Sequence, residues 1–116
     1  MIKFAIYRSG DGEISRLQIK GHAGYAEEGY DIVCSAVSTA LWMAMKGIEE
    51  QCLAQLSYTE EDGFVDCHIG GERKSEADAI LKSLEITIFE LAKQFKKNVF
   101  IVNGKDLQDK AWEEWK

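Results

Sequence analysis

Apolar and polar residues alternate along IKFAIYR, from Ile2 to Arg8, and again along EISRLQIKG, where Leu17 and Ile19 interleave with Arg16, Gln18 and Lys20. A period of two predicts strands, and Asp11 and Gly12 in the intervening GDG supply the turn of a hairpin. The period then changes. In DIVCSAVSTALWMAMKGIEEQ the apolar positions Val33, Val37, Ala40, Leu41, Ala44 and Ile48 recur at helical spacing, with Asp31 as the N-cap. LAQLSYTEE and FVDCHIGG, on either side of Asp62 and Gly63, repeat the hairpin pattern, with Val65, Cys67 and Ile69 on one face and Asp66 and His68 on the other. Ser75 is read as the cap of a second helix whose stripe runs from Ala77 through Ile80, Leu84 and Ile88 to Phe95, and NVFIV at 98–102 as a last strand. The order strand, strand, helix, strand, strand, helix, strand predicts an α+β two-layer sandwich. In it, one mixed or antiparallel sheet of about five strands carries both helices on one face.

Four apolar side chains fall outside these stripes: Trp42 and Met43 on the first helix, Ile86 and Phe89 on the second. That is more apolar surface than one helix-on-sheet layer hides, and a self-association surface would cover it. Residues 1–103 read as one domain, and 104–116 as a tail able to form a short amphipathic helix with Leu107, Ala111, Trp112 and Trp115 on one side.

Composition narrows the chemistry. Acidic residues outnumber Lys and Arg by 20 to 14, which argues against direct nucleic-acid binding and suits a basic protein or peptide partner. Three cysteines at long spacings suggest neither a disulfide framework nor a zinc ribbon, so a reducing cytosol is the expected compartment. The start lacks the pattern of a signal peptide, and no later segment reads as long and apolar enough to span a membrane. Two histidines and scattered cysteines offer no metal-ligand spacing, no C-x-x-C pair is present, and no glycine-rich loop precedes a Lys and Ser or Thr. No cofactor is expected.

Cys34 lies at the edge of the first helix's apolar stripe, where a free cysteine commonly packs as a small hydrophobe. With Asp31 at the cap it is also the third residue of the helix, where unpaired N–H groups and the positive end of the helix dipole favour a thiolate and could hold an acyl-transfer oxyanion. Asp31, Cys34, Ser38 and Trp42 trace a polar ridge that could line a groove. His22 ends the second strand, and a connection of this length can bring its imidazole within reach of the thiol. The loop AGYAEEGY between them, with Gly24, Gly29, Tyr25 and Tyr30, reads either as a lid over a substrate or as an ordinary solvated connection. Glu27 and Glu28 within it could attract a basic peptide. Cys67 and His68 are neighbours on a strand and point to opposite faces, which excludes a dyad between them; Cys52 reads as structural.

Together, GHAG, the acidic loop and GYDIVCSAVS resemble the ribosomal-processing cysteine protease family of bacteria, over nearly the whole domain. The resemblance implies a small homodimeric cytosolic peptidase that removes the N-terminal extension of a large-subunit ribosomal protein, cutting beside a phenylalanine-containing motif. It makes Cys34 the nucleophile and His22 the general base and acid. Gly21, Asp31 and Ser38 fall on supporting motif positions: Asp31 would order the loop and cap the helix, and Ser38 would line the substrate groove. Ser35 stands where many relatives have alanine, a change that leaves the pair intact. A noncatalytic ribosome-assembly or protein-binding module, with the first helix as a docking face and Cys34 merely packed, is the competing reading.

Overall fold

The computed structural model describes residues 1–22, 24, 26–27, 31–61, 63–71 and 74–103, with side chains to residue 101. The predicted amphipathic tail at 104–116, Tyr25, Glu28, Gly29, Tyr30 and Asp62 lie outside the described residues.

The first alternating pair becomes β1 (Ile2–Arg8) and β2 (Ile14–Lys20), antiparallel, with Phe4 opposite Ile19 and Ile6 opposite Leu17. The turn between them closes through Ser9 N–H donating to Glu13 O at 2.9 Å. The second pair becomes β3 (Gln55–Glu61) and β4 (Phe64–Gly70), where Val65, Cys67 and Ile69 share the inward face as their alternation requires. β3 begins two residues later than LAQLSYTEE suggested: Leu53 and Ala54 belong to the connection from the helix. A final strand, β5 (Val99–Asn103), runs parallel to β1, and the sheet order is β3-β4-β2-β1-β5. The sheet is therefore mixed, with four antiparallel strands and one parallel edge.

Helix α1 (Ile32–Gln51) buries Val33, Val37, Ala44, Met45 and Ile48, and α2 (Lys74–Gln94) buries Ala77, Leu81, Leu84 and Ile88. Both stripes pack into a single core with Phe4, Leu17, Cys67 and Val99, which confirms the two-layer α+β architecture. Helix α2 already includes Ser75 as its second residue, so Ser75 is not the cap; Glu76 supplies the negative charge that suits a first turn. Helix α1 also corrects the sequence reading on one count, because by length and composition it is apolar enough to cross a membrane. Burial of its stripe against the sheet and α2 accounts for part of that apolarity, since 28% of the apolar window is buried and Ile32, Trp42 and Met43 stay exposed. Trp42, Met43, Ile86 and Phe89 are exposed, as their positions off the stripes predicted.

The other sheet face carries a polar network. Arg16 donates to both oxygens of Asp66, at 3.0 and 2.9 Å, Gln18 reaches the same carboxylate, and Tyr7 donates to Gln18. The Arg16 guanidinium beside it holds the Asp66 carboxyl below the usual carboxylate range. His68 lies on this face, with Nε2 at 3.5 Å from Asp66, whereas Cys67 is fully buried on the other with its thiol pushed up to about 12 by burial. The two neighbours are separated by the sheet itself.

One buried charge ties the layers together. Asp78 on α2 accepts the Ile14 N–H at 2.7 Å, beside the register shift at Tyr7 and Arg8, and pairs with Lys82 at 2.7 Å. Replacing Asp78 by alanine strands a buried N–H, which costs about 1–3 kcal/mol. Urea denaturation of Asp78→Ala should show that loss, and Asp78→Asn, which keeps an acceptor oxygen, should recover much of it.

Candidate active site

Asp31 has extended backbone and turns its carboxylate back over the first turn of α1, with Oδ1 accepting the N–H groups of Val33 and Cys34 at 3.0 Å each. Its carbonyl accepts Ser35 N–H at 3.1 Å. The expected cap is therefore present, and it places Cys34 third in the helix. It also revises the expectation of free N–H groups at this helix end. Those of residues 33 to 35 are already engaged by Asp31, whose charge offsets part of the positive helix terminus.

His22 stands where β2 ends. Lys20 is still paired to Lys3 and Phe64, and the next residue, Gly21, leaves the ladder with φ +92°. Gly21 N–H donates to Gly63 O at 2.8 Å, fastening the strand end to the β3–β4 turn. A Cβ on Gly21 would lie 2.3 Å from Met1 O, a separation no side chain tolerates, so only glycine fits. Gly63, with φ +71°, comes from the other direction: a Cβ there would lie 3.1 Å from His22 Nε2. The imidazole is thus set against the hairpin turn, and Gly63 makes the room for it.

Both side chains face one cleft of about 460 Å³ between α1 and the β3–β4 hairpin. Gly21, His22, Cys34 and Ser38 line it, with Ile2, Ile19, Val37 and Leu41 as apolar lining and Glu60, Glu61 and Phe64 from the hairpin. His22 is exposed; Cys34 is partly buried and packs against the core, at the edge of the stripe as the helical period indicated. Of the polar ridge, Cys34 and Ser38 face the cleft, Trp42 faces an adjoining pocket, and Asp31 is given to capping. Ser35 is exposed and is not among the lining residues. Sequence reading did not single out Gly63, Phe64, Glu60 or Glu61, because their place in the cleft depends on β4 pairing with β2 rather than on any local pattern.

Cys34, Cys52 and Cys67 are free thiols, and Cys52 caps the C-terminal end of α1 while packing against the core. Among the described residues no group of three or more His, Cys, Asp or Glu side chains is placed to hold a metal ion.

The ribosomal processing cysteine protease Prp of Bacillus subtilis (strain 168) is 24% identical over 110 residues, covering 90% of this chain and 98% of the relative. That of Staphylococcus aureus is 23% identical over 101 residues, covering 85% and 95%. Among solved structures, the S. aureus ribosomal processing protease with a covalently linked product peptide superposes with a TM-score of 0.84 at 22% identity, over 89% of this chain and 99% of that one. A Streptococcus mutans protein superposes with a TM-score of 0.68 at 28% identity, over 89% and 91%. The family model described as cysteine protease Prp matches residues 1–100, and with the fold, the helix-end cysteine and the strand-end histidine in one cleft, this chain belongs to that family of ribosomal-processing cysteine proteases.

Proposed function

We propose that the protein is an endopeptidase that removes the N-terminal extension of a large-subunit ribosomal protein, with Cys34 as nucleophile and His22 as general base and acid. The observation that carries this reading is the opening of both side chains onto one cleft, in a chain whose family consists of cysteine proteases. Relatives solved with a substrate peptide and with a covalently linked product peptide support a peptide in the corresponding groove.

In the proposed reaction the His22 imidazole takes the Cys34 thiol proton and the thiolate adds to the scissile carbonyl. Collapse of the tetrahedral species breaks the C–N bond as the imidazolium gives its proton to the departing amine. Water, deprotonated by His22, then cleaves the thioester and restores the thiol. Because Asp31 already engages the N–H groups of Val33 and Cys34, the developing oxyanion needs another donor, and the Ser38 hydroxyl, one turn beyond Cys34 on the cleft, is suited to it. Asp31 orders the start of the helix and so the position of the thiol.

A cytosolic homodimer belongs to the same proposal: Met43, Ile86 and Phe89 leave apolar surface exposed on both helices, and a second copy would cover it. Incubating the full chain with the ribosomal protein precursor and weighing the products by mass spectrometry tests the central reading. One cut that releases the N-terminal extension, with an acid-quenched thioester adduct on residue 34, is the expected result. An intact precursor that nevertheless binds the protein would replace the protease by a binding module.

A further inference from the structure

The cleft does not end at Ser38. A second pocket of about 410 Å³ continues from it along α1, sharing Ser38, Leu41, Glu60 and Val65 and adding Trp42, Met45 and Tyr58. The two cavities form one groove.

Its walls are chemically uneven. Leu41, Met45 and Val65 supply an apolar floor, and the rings of Trp42 and Tyr58 stand at the rim, exposed at 66% and 49%. Glu60 is the anomaly. Register pairs it with Val65, so it shares the helix-facing side of β3 with Leu56 and Tyr58, where alternation otherwise places apolar side chains. Among the described residues its carboxylate takes no hydrogen bond and no ion pair, and it lines both cavities. A pocket with an apolar floor, two aromatic rings and an unneutralised carboxylate matches a long aliphatic stem that ends in a cation. Glu60 is exposed, so water solvates its carboxylate in the open groove, and an uncharged aliphatic or aromatic side chain would only forgo the ion pair that a cation makes.

We propose that this pocket receives a lysine or arginine side chain of the peptide substrate, with Glu60 as the specificity-determining residue. The inference rests on the protease reading of the neighbouring cleft. The position follows from dimensions. Leu41, which lines both cavities where they join, is seven residues beyond Cys34 on α1, or about 10 Å along the axis. An extended peptide covers that span in about three residues, so the cation belongs about three residues from the scissile bond.

The test uses peptides spanning the processing junction, with lysine, norleucine or glutamate placed three residues from the cut on either side. At one of the two positions the wild-type protein should prefer lysine over norleucine by roughly fivefold in kcat/KM, the scale of an exposed ion pair plus a cation–π contact. Glu60→Gln should bring that ratio to about one, and Glu60→Lys should reverse it in favour of glutamate. A wild-type ratio near one at both positions, or a ratio unchanged in the variants, overturns the proposal. If no peptide is cleaved, the protease reading fails, and the pocket is then judged by binding. Fluorescence anisotropy of the labelled peptides on the Cys34→Ala protein should show the same preference for lysine, and equal affinities would overturn it. Glu60 or Tyr58 substitutions that change only sedimentation, and not selectivity, would assign the pocket to a second copy of the chain and overturn it as well.

Discussion

Cys34→Ala should reduce cleavage of the ribosomal precursor to the uncatalysed level, a fall of at least about 10⁴-fold in kcat, while the protein remains folded. The small thiol at the edge of the core contributes little packing, and alanine retains the Cβ and the helix propensity, so thermal unfolding should move by only a few degrees. His22→Ala should cost a similar factor for a different reason. The side chain is exposed and its removal should leave stability nearly intact, but the thiol then lacks a proton acceptor and the amine a proton donor. Groups that act as a unit are not additive, so the double variant should be no slower than either single one. Progress curves with circular dichroism on all three proteins provide the measurement. Cleavage retained by Cys34→Ala would remove the nucleophile from the mechanism; a double variant slower by the product of both factors would show that the two side chains act independently.

The second large effect is expected at Gly21, a residue with no reactive atom. Alanine there combines a backbone angle of +92°, unfavourable by about 1–2 kcal/mol for an L-residue, with a Cβ 2.3 Å from Met1 O. Met1 O cannot simply retreat, because the adjacent Ile2 N–H is bonded to Asn98 O at 2.8 Å and β1 lies between β2 and β5. The relief open to the chain is to break the Gly21–Gly63 hydrogen bond and swing His22 away. Gly21→Ala should therefore lose about 2–4 kcal/mol and also fall in kcat/KM by more than its unfolded fraction explains. Gly63→Ala is the informative contrast. At φ +71° alanine carries the same penalty of about 1–2 kcal/mol, but its Cβ would meet the far end of an exposed imidazole at 3.1 Å rather than a backbone oxygen, so it should cost less stability than Gly21→Ala while still disturbing activity. Urea melts alongside peptide kinetics separate the two, and a Gly21→Ala protein with wild-type stability and rate would show that the strand end is not a fixed support for His22.

The sequence reading succeeded where interactions are local. Alternation in EISRLQIKG and FVDCHIGG assigned faces correctly because a strand's side chains follow its backbone pleat, and Asp31 was recognisable as a cap because its acceptors bind N–H groups two and three residues ahead. The same locality explains the misses. Ser75 has the composition of a cap, yet the helix is already under way at Lys74, since a serine is also acceptable within a first turn. The free helix-end N–H groups expected around Cys34 were claimed by the very residue whose capping role had been recognised.

What the sequence determined by itself is the list of elements, the identity of the helix-end cysteine and strand-end histidine, and, through GHAG and DIVCSAVS, the family. Tertiary structure alone decided that β4 lies beside β2 and β5 beside β1, that Gly63 backs the imidazole, and that Glu60 faces the groove from a strand far away in the chain. Periodicity reports which side of an element is apolar, whereas the pairing of elements distant in sequence is settled by how their apolar faces and backbone hydrogen bonds are satisfied together. The chemistry could be read from the residues; the shape that selects a substrate exists only once the hairpin and the helix are in place.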